Sequence, residues 1–405
     1  MFKYLKIYLI LSLICVLVTN IFPQIISTKL TQGREKRSVI QKRKLFNKDI
    51  LFYIQFLNYT PILQTLGYIT NNTCLKFHYY GFNVEGLNGF NYKKTRGPCT
   101  APFGPKENAP RHENTIYLNR NCANDLGMIQ HLTAKMLGLL YTHNRRDRDK
   151  YITVEDRNIH PKYKDLFKMY NNSYANTYKL SYDFGSIMHI KKAEFSEYGA
   201  YTVKPKDSNY TFMLGQRRFF SFSDIKIINM RYCQDTCSFF NIDYCQNGGY
   251  RNPRNCISCV CPHGLTGELC EEPITSLRNC GPSILNATSE LQRIHAERNT
   301  FCSYIITAPP YEKINITIDE AEVNFVDPCD YKSAIEVRYK YDKSTTGLCL
   351  CGYVTNLTLI SENDQVIIVY NGLSRNSLLK ASYKILSKGN KENQRGEAIK
   401  ITTKS

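Results

Sequence analysis

The spacing of apolar residues changes several times along the chain, and each change predicts a different element. From Ile7 to Val18 the run is nearly unbroken, with Lys3 and Lys6 ahead of it. This is the charge-then-hydrophobe order of a secretory signal (1–22), too short to favour a membrane span. DILFYIQFLNY (49–59) is a β-rich run. Thr60-Pro61 then starts a helix over ILQTLGYI with Pro61 at its first position, and TCLKFHYYGF returns to strand. Asp125 caps a helix over LGMIQHLTAKMLG that ends at Gly138. At about 100° per residue, Ile129, Leu132, Met136 and Leu140 form one stripe, and His131, Lys135 and Gly138 point to the other side. Further on, KINITID, AIEVRYKY, QVIIVYNG and LLKASYKI alternate with the two-residue period of an all-β sandwich. The last residues, 387–405, are polar and read as a loose tail.

Length and cysteines sharpen this picture. At 405 residues the chain exceeds one compact core, so two or three domains are expected. No later stretch reaches about 18 consecutive apolar residues, so the mature chain is expected to be extracellular with no membrane span. Sixteen cysteines and sequons at Asn58, Asn71, Asn171, Asn209, Asn286, Asn315 and Asn356 fit an oxidising secretory route. Losing Cys15 with the signal leaves an odd number, hence at least one unpaired thiol. Arg34-Glu-Lys-Arg37 matches the R-x-[KR]-R pattern of a processing site that would close a short prosegment (23–37); a plain basic linker fits the same residues. The formal charge of +18 invites polyanion partners. Nucleic acid is excluded by the compartment and by the scatter of basic residues among Tyr and Asn, which leaves acidic matrix glycans or a merely solvated surface.

Chemistry concentrates in HLTAKMLGLLYTH (131–143). A zinc hydrolase helix needs imidazoles at i and i+4, a carboxylate beside the first as general base, a glycine turn and a third ligand, the pattern HExxHxxGxxH. Laid on it without a gap, this chain has His131 at the first ligand, Leu132 at the base, Lys135 at the second ligand, Gly138 at the turn and Tyr141 at the third.

The stretch continues as THNRRDRD and YITVEDRNI, and later as YDFGSIMHI with Met188 in the Met-turn position. On these motifs residues 38–233 resemble the astacin family of zinc metallopeptidases. The resemblance implies an α+β metzincin fold, disulfides Cys74–Cys233 and Cys99–Cys122, and zinc in active members. Ile190 stands where the family has a Tyr that assists the transition state. Lacking base, two ligands and that Tyr, the domain is expected to be a non-catalytic homologue with no cofactor. Lys135 offers an ammonium with no lone pair for a metal. Two readings of it remain: a stem snorkelling to water, or the centre of a cationic cleft with Arg145, Arg146 and Arg148 that takes acidic peptides or sulfated glycans. Leu132 reads as core, and His131, His143 and His189 as structural.

Residues 234–272 resemble an EGF-like module, which implies pairs Cys237–Cys256, Cys245–Cys259 and Cys261–Cys270; a zinc knuckle is the alternative for so many cysteines. Residues 280–386 resemble a CUB domain, which implies Cys280–Cys302 and Cys329–Cys351 and leaves Cys349 as the odd thiol. The expected partners are extracellular proteins or acidic matrix glycans.

Overall fold

The computed structural model describes residues 45–106, 113–170, 176–239, 244–274 and 280–386. The signal, the prosegment with Arg37, the Asn171 sequon and the tail lie outside the described residues.

The N-terminal lobe is built on β1 (Asp49–Gln55), β2 (Lys76–Tyr79), β3 (Gly89–Lys94) and β4 (Thr115–Leu118), in the order β2-β1-β3-β4 with every pairing parallel. Ile50, Phe52 and Ile54 alternate along β1 into the core, as the two-residue period requires. Helix α1 (Tyr59–Asn72) packs on this layer through Ile62, Leu66 and Ile69. Its start differs from the expectation. Asn58 is the N-cap, its side chain accepting from the Thr60 N–H at 3.1 Å, so Pro61 lies at the third helical position, where a missing N–H is also tolerated.

Helix α2 (Leu126–Met136) is capped by Asp125, whose Oδ1 accepts from the Met128 N–H. The amphipathic reading is incomplete: His131, Gln130 and Thr133 are buried along with Ile129, Leu132 and Met136. The helix lies in the middle of the domain, with the hydrophobic core on one side and the loop 185–190 on the other. The backbone of Arg217 packs against its first turn so closely that a Cβ on Gly127 would fall 1.7 Å from the Arg217 carbonyl oxygen. Gly138 turns the chain out of the helix at φ +86°, a conformation that favours glycine.

The second lobe is mostly irregular, with β5 (Ile152–Val154) and β6 (Val203–Pro205) paired antiparallel and α3 (Phe222–Tyr232) opened by a Ser221/Asp224 capping box. Disulfides Cys74–Cys233 and Cys99–Cys122 tie the domain.

The segment 244–274 contains only the short pairs β7 (Tyr250–Arg251) with β8 (Cys259–Val260) and β9 (Leu265–Thr266) with β10 (Glu272–Pro273). Three disulfides staple it: Cys237–Cys256, Cys245–Cys259 and Cys261–Cys270.

The C-terminal domain is a sandwich. One sheet runs β11 (Ile284–Asn286), β13 (Phe301–Thr307), β18 (Gln365–Asn371), β15 (Ile335–Arg338), β16 (Leu348–Leu350). The other runs β12 (Gln292–Glu297), β19 (Leu378–Ile385), β14 (Ile314–Val323), β17 (Gly352–Ile360). Cys280–Cys302 and Cys329–Cys351 close it. Cys349 is a free thiol, buried beside Met213, whose sulfur accepts from the Cys349 N–H at 3.3 Å.

The sandwich and the second lobe share one hydrophobic core: Phe184, Tyr210, Met213 and Leu214 lie in the same cluster as Tyr339, Leu348 and Cys349. Polar contacts stitch the rim, with Arg218 on Asp330 (2.7 Å), the Ser181 N–H on Asp342 (2.8 Å) and Tyr210 on Tyr339 (3.2 Å). The Thr346 side chain lies where a Cβ on Gly185 would be 2.7 Å away and hydrogen-bonds Asp183. Such a continuous apolar contact is what a domain core looks like, and a flexible tether between domains needs none of it.

Candidate functional site

Three elements converge on His131. Helix α2 carries it one turn before Lys135; Gly138 turns the chain so that Tyr141 returns beside it; and the loop Asp183–Ile190 lies beneath. His131 Nδ1 sits 2.9 Å from the Ile187 carbonyl oxygen, so that nitrogen carries the proton and Nε2 the lone pair. The arrangement is the one that aims a metal-binding imidazole, and the loop that supplies it is rigidly held. Asp224 of α3 accepts from Ser186 Oγ (2.6 Å), the Ile187 N–H and the Ser221 N–H (both 2.9 Å). Burial, with Asp183 nearby, pushes the Asp224 carboxyl up to about 6. Met188 is buried under the site, and its carbonyl accepts from the Thr142 N–H.

The remaining positions are apolar, aromatic or cationic. Leu132 belongs to the same buried cluster as Ile129 and Met136, and Ile190 to the core shared with the sandwich. Tyr141 is stacked between His131 (centroids 5.8 Å apart, planes within 15°) and His143 (5.2 Å, 22°), with Phe103 edge-on at 5.0 Å. The Lys135 ammonium sits 4.5 Å from the Phe103 ring centroid and 5.5 Å from that of Tyr141. It makes no hydrogen bond or ion pair among the described residues, and burial lowers its pKa. Burial first, and then neighbouring charge, hold His131 and His143 well below the usual histidine range; burial brings His189 to about 4. All three are neutral at physiological pH. His189 is fixed by the Tyr182 hydroxyl at 2.9 Å, and His143 by the Leu166 carbonyl at 3.3 Å.

The expected cationic cleft needs correcting. Arg145 clamps Asp147 with two bonds (2.9 and 2.7 Å) and donates to the Leu180 and Ser181 carbonyls. Arg148 is buried, donating to the His143 and Phe167 carbonyls. Neither side chain is available to a ligand, because each satisfies carbonyls that the irregular loop leaves without a strand partner. Arg146 alone of the three is exposed, and Lys135 is held by rings rather than projected into water.

The cation that the sequence reading missed is Arg217. Its guanidinium donates to the His189 carbonyl and to that of Gln216, its Nη2 lies 3.9 Å from Glu194, and its side chain is 11 % exposed. Its charge acts on His131, Tyr141, His143 and His189 alike. A loop arginine so far downstream carries no local periodicity or motif that would have marked it. Gly127 is the only hint, being a glycine inside a helix where the Arg217 backbone passes.

Among the described residues no group of three or more His, Cys, Asp or Glu is arranged to hold a metal ion, and no helix is long and apolar enough to cross a membrane. Of the described sequons, Asn58, Asn71, Asn286 and Asn356 are exposed, while Asn209 and Asn315 are half-buried with their side-chain oxygens enclosed.

Residues 41–233 match the astacin peptidase family, and residues 280–385 match the CUB domain. The chain is similar to zinc metalloproteinase nas-34 of Caenorhabditis elegans, 36% identical over 249 residues, 62% of this chain and 40% of that one. It is also similar to zinc metalloproteinase nas-36 of Brugia malayi, 32% identical over 337 residues, 78% of this chain and 54% of that one. It thus spans about half the length of the curated relatives it matches. Among solved structures it is similar to high choriolytic enzyme 1, a hatching enzyme zinc-protease from Oryzias latipes. The two share 25% identity at a TM-score of 0.40, over 46% of this chain and 92% of that one. Astacin-type motifs around a Met-turn, followed by a disulfide-closed β-sandwich, place this chain in the astacin family, as a metalloproteinase homologue whose astacin domain is joined to a CUB domain.

Proposed function

We propose that this chain is an extracellular, glycosylated binding protein that keeps the astacin frame without its chemistry, with residues 234–272 as an EGF-like module between the astacin and CUB domains. The observation that carries the reading is the donor set around His131. Zinc takes at least three protein ligands, and here the positions beside the one imidazole present an ammonium and a phenol. The phenol is protonated, burial having raised its pKa. This set does not fit a zinc ion. Leu132 cannot take a proton from water, and loss of a general base alone costs about two to four orders of magnitude. Ile190 offers no hydroxyl to a developing oxyanion.

An active enzyme with replacement ligands would need carboxylates or imidazoles within reach. Asp183 and Asp224, the buried acids nearest the Met-turn, are both engaged in holding that loop and its helix. The core shared with the CUB domain argues against the astacin domain being a mere spacer. Partners are expected among extracellular proteins or acidic matrix glycans. The test is turnover of a general protein substrate by the full secreted chain, with and without added zinc: no turnover in either case is expected, and chelator-sensitive turnover would contradict the proposal.

A further inference from the structure

Among the described sequons, Asn58-Tyr59-Thr60 stands apart by what precedes it. Two positions before the asparagine lies Phe56, where the other described sequons have Ile69, Asp207, Ile284, Lys313 and Val354. Phe56 is 83% exposed and sits at φ +55°, a conformation that a bulky L side chain rarely adopts. Neither burial nor backbone preference accounts for a phenyl ring here; glycine or asparagine would hold the same φ with less strain. The chain bends at Phe56 and Leu57, between β1 and α1. Leu57 packs against the core, and its two neighbours, Phe56 and Asn58, are both exposed. Two residues span at most about 7 Å, which keeps the Asn58 amide and the Phe56 ring within the reach of one sugar.

Asn58 can carry a sugar and keep both of its recorded bonds. Its Oδ1 accepts from the Thr60 N–H at 3.1 Å, and its Nδ2, which has two hydrogens, donates to Asn124 Oδ1 at 3.1 Å. Tyr59, the middle residue of the sequon, carries exposed aromatic surface to the edge of the sheet. Its hydroxyl lies 3.3 Å from that of Tyr79 on the edge strand β2, and both rings are exposed.

We propose that the first sugars of an N-linked glycan on Asn58 lie on the Phe56 ring, which makes this glycan a packed part of the domain. The inference rests on the extracellular, glycosylated reading. In the transfer, the bond from the sugar's anomeric carbon to a lipid-linked diphosphate breaks and a bond from that carbon to Asn58 Nδ2 forms. The diphosphate leaves with the electron pair, and Nδ2 gives up one proton. The C–H face of a pyranose is apolar and faintly positive, whereas the face of an aromatic ring is apolar and negative, so the two stack. Stacking also covers a ring that is otherwise left in water.

The experiment compares the full secreted chain with Phe56→Ala, Thr60→Ala and the double variant. Thr60→Ala removes the sequon and keeps the Asn58 cap, which uses the backbone N–H. Phe56→Ala removes the ring and keeps a Cβ at the same φ. Glycopeptide mapping of the parent is expected to find a glycan on Asn58. Thr60→Ala should lower the melting temperature of the parent by roughly 2–4 °C more than it lowers that of Phe56→Ala. Where Thr60→Ala is not secreted, enzymatic trimming of the folded parent and of Phe56→Ala makes the same comparison. One retained sugar should keep the parent's melting temperature, and complete removal by an amidase, which turns Asn58 into an aspartate, should lower it more than in Phe56→Ala. Equal shifts in the two backgrounds would overturn the stacking, as would an unoccupied Asn58 in a chain glycosylated elsewhere. A secreted chain with no sugar at any sequon would instead overturn the glycosylated reading, and this inference with it.

Discussion

The ring of Tyr141 lies over that of His131 with centroids 5.8 Å apart and planes within 15°, so the chain position that would close a ligand set instead closes an aromatic stack. The stack runs on to His143, against which Phe167 lies tilted with centroids 5.6 Å apart. His131 contributes ring contact and a backbone hydrogen bond to this packing.

Rebuilding the metal centre should therefore take more than ligands. Lys135→His with Tyr141→His restores three imidazoles on a frame where Gly138 and Met188 are in place, but the Arg217 charge still acts on the centre. The double variant is expected to hold zinc weakly, and adding Arg217→Ala should raise zinc occupancy at fixed free metal. Elemental analysis of the two variants after equilibrium dialysis checks this; equal occupancy would mean that Arg217 stands clear of the metal position.

Acid should destabilise the folded chain through the same stack. His131, His143 and His189 are held neutral by burial. Their depressed folded pKa values mean that stability is intact above the unfolded value near 6.5 and is lost as pH falls toward about 4, where His189 titrates. Asp224, raised to about 6, acts in the opposite direction between its ordinary 3.8 and 6, gaining stability as pH falls. His143→Phe isolates one contribution. The His143 Nδ1 is buried without a partner, and the Leu166 carbonyl that Nε2 meets at 3.3 Å keeps the Asn144 amide at 2.8 Å, so a slightly larger apolar ring should cost little at pH 7.5. At pH 5 it should be more stable than the parent by up to about 2 kcal/mol. Thermal melts at the two pH values read the difference.

Much of this was legible in the sequence, and the parts that were not share a cause. The cap at Asp125, the turn at Gly138 and the alternation of β14 and β19 follow from local period and local chemistry, which a single sequence displays. Arg217, the inward turn of Arg145 and Arg148, and the burial of the His131 face all depend on what a distant loop places opposite them. No residue spacing records that. Asn58 instead of Pro61 at the start of α1 is a smaller case, in which a side-chain cap two residues earlier sets the boundary.

The CUB domain should be required for the astacin domain to fold. Removing residues 280–405 would expose Phe184, Tyr210, Met213 and Leu214 and leave Asp183 without Thr346. The truncated chain is expected to be retained or aggregated in a secreting cell, while the full chain is exported. Secreted, monomeric protein ending at residue 279 with an unchanged melting temperature would show that the shared core is dispensable.

Cys349 should behave as a silent thiol. It is buried, its pKa is raised well above the usual range by desolvation, and its Sγ lies 3.6 Å from the Gly347 carbonyl oxygen. A thiolate reagent should label none of the folded chain at pH 8 and one thiol per chain in denaturant. Rapid labelling without denaturant would contradict its burial.

The most direct test of the account is the zinc content of the full chain, secreted and purified without chelators. With His131 as the single imidazole of the set, well under one zinc per chain is predicted, with no shift of the melting temperature on adding a chelator. One tightly held zinc per chain, whose removal lowers the melting temperature, would contradict it.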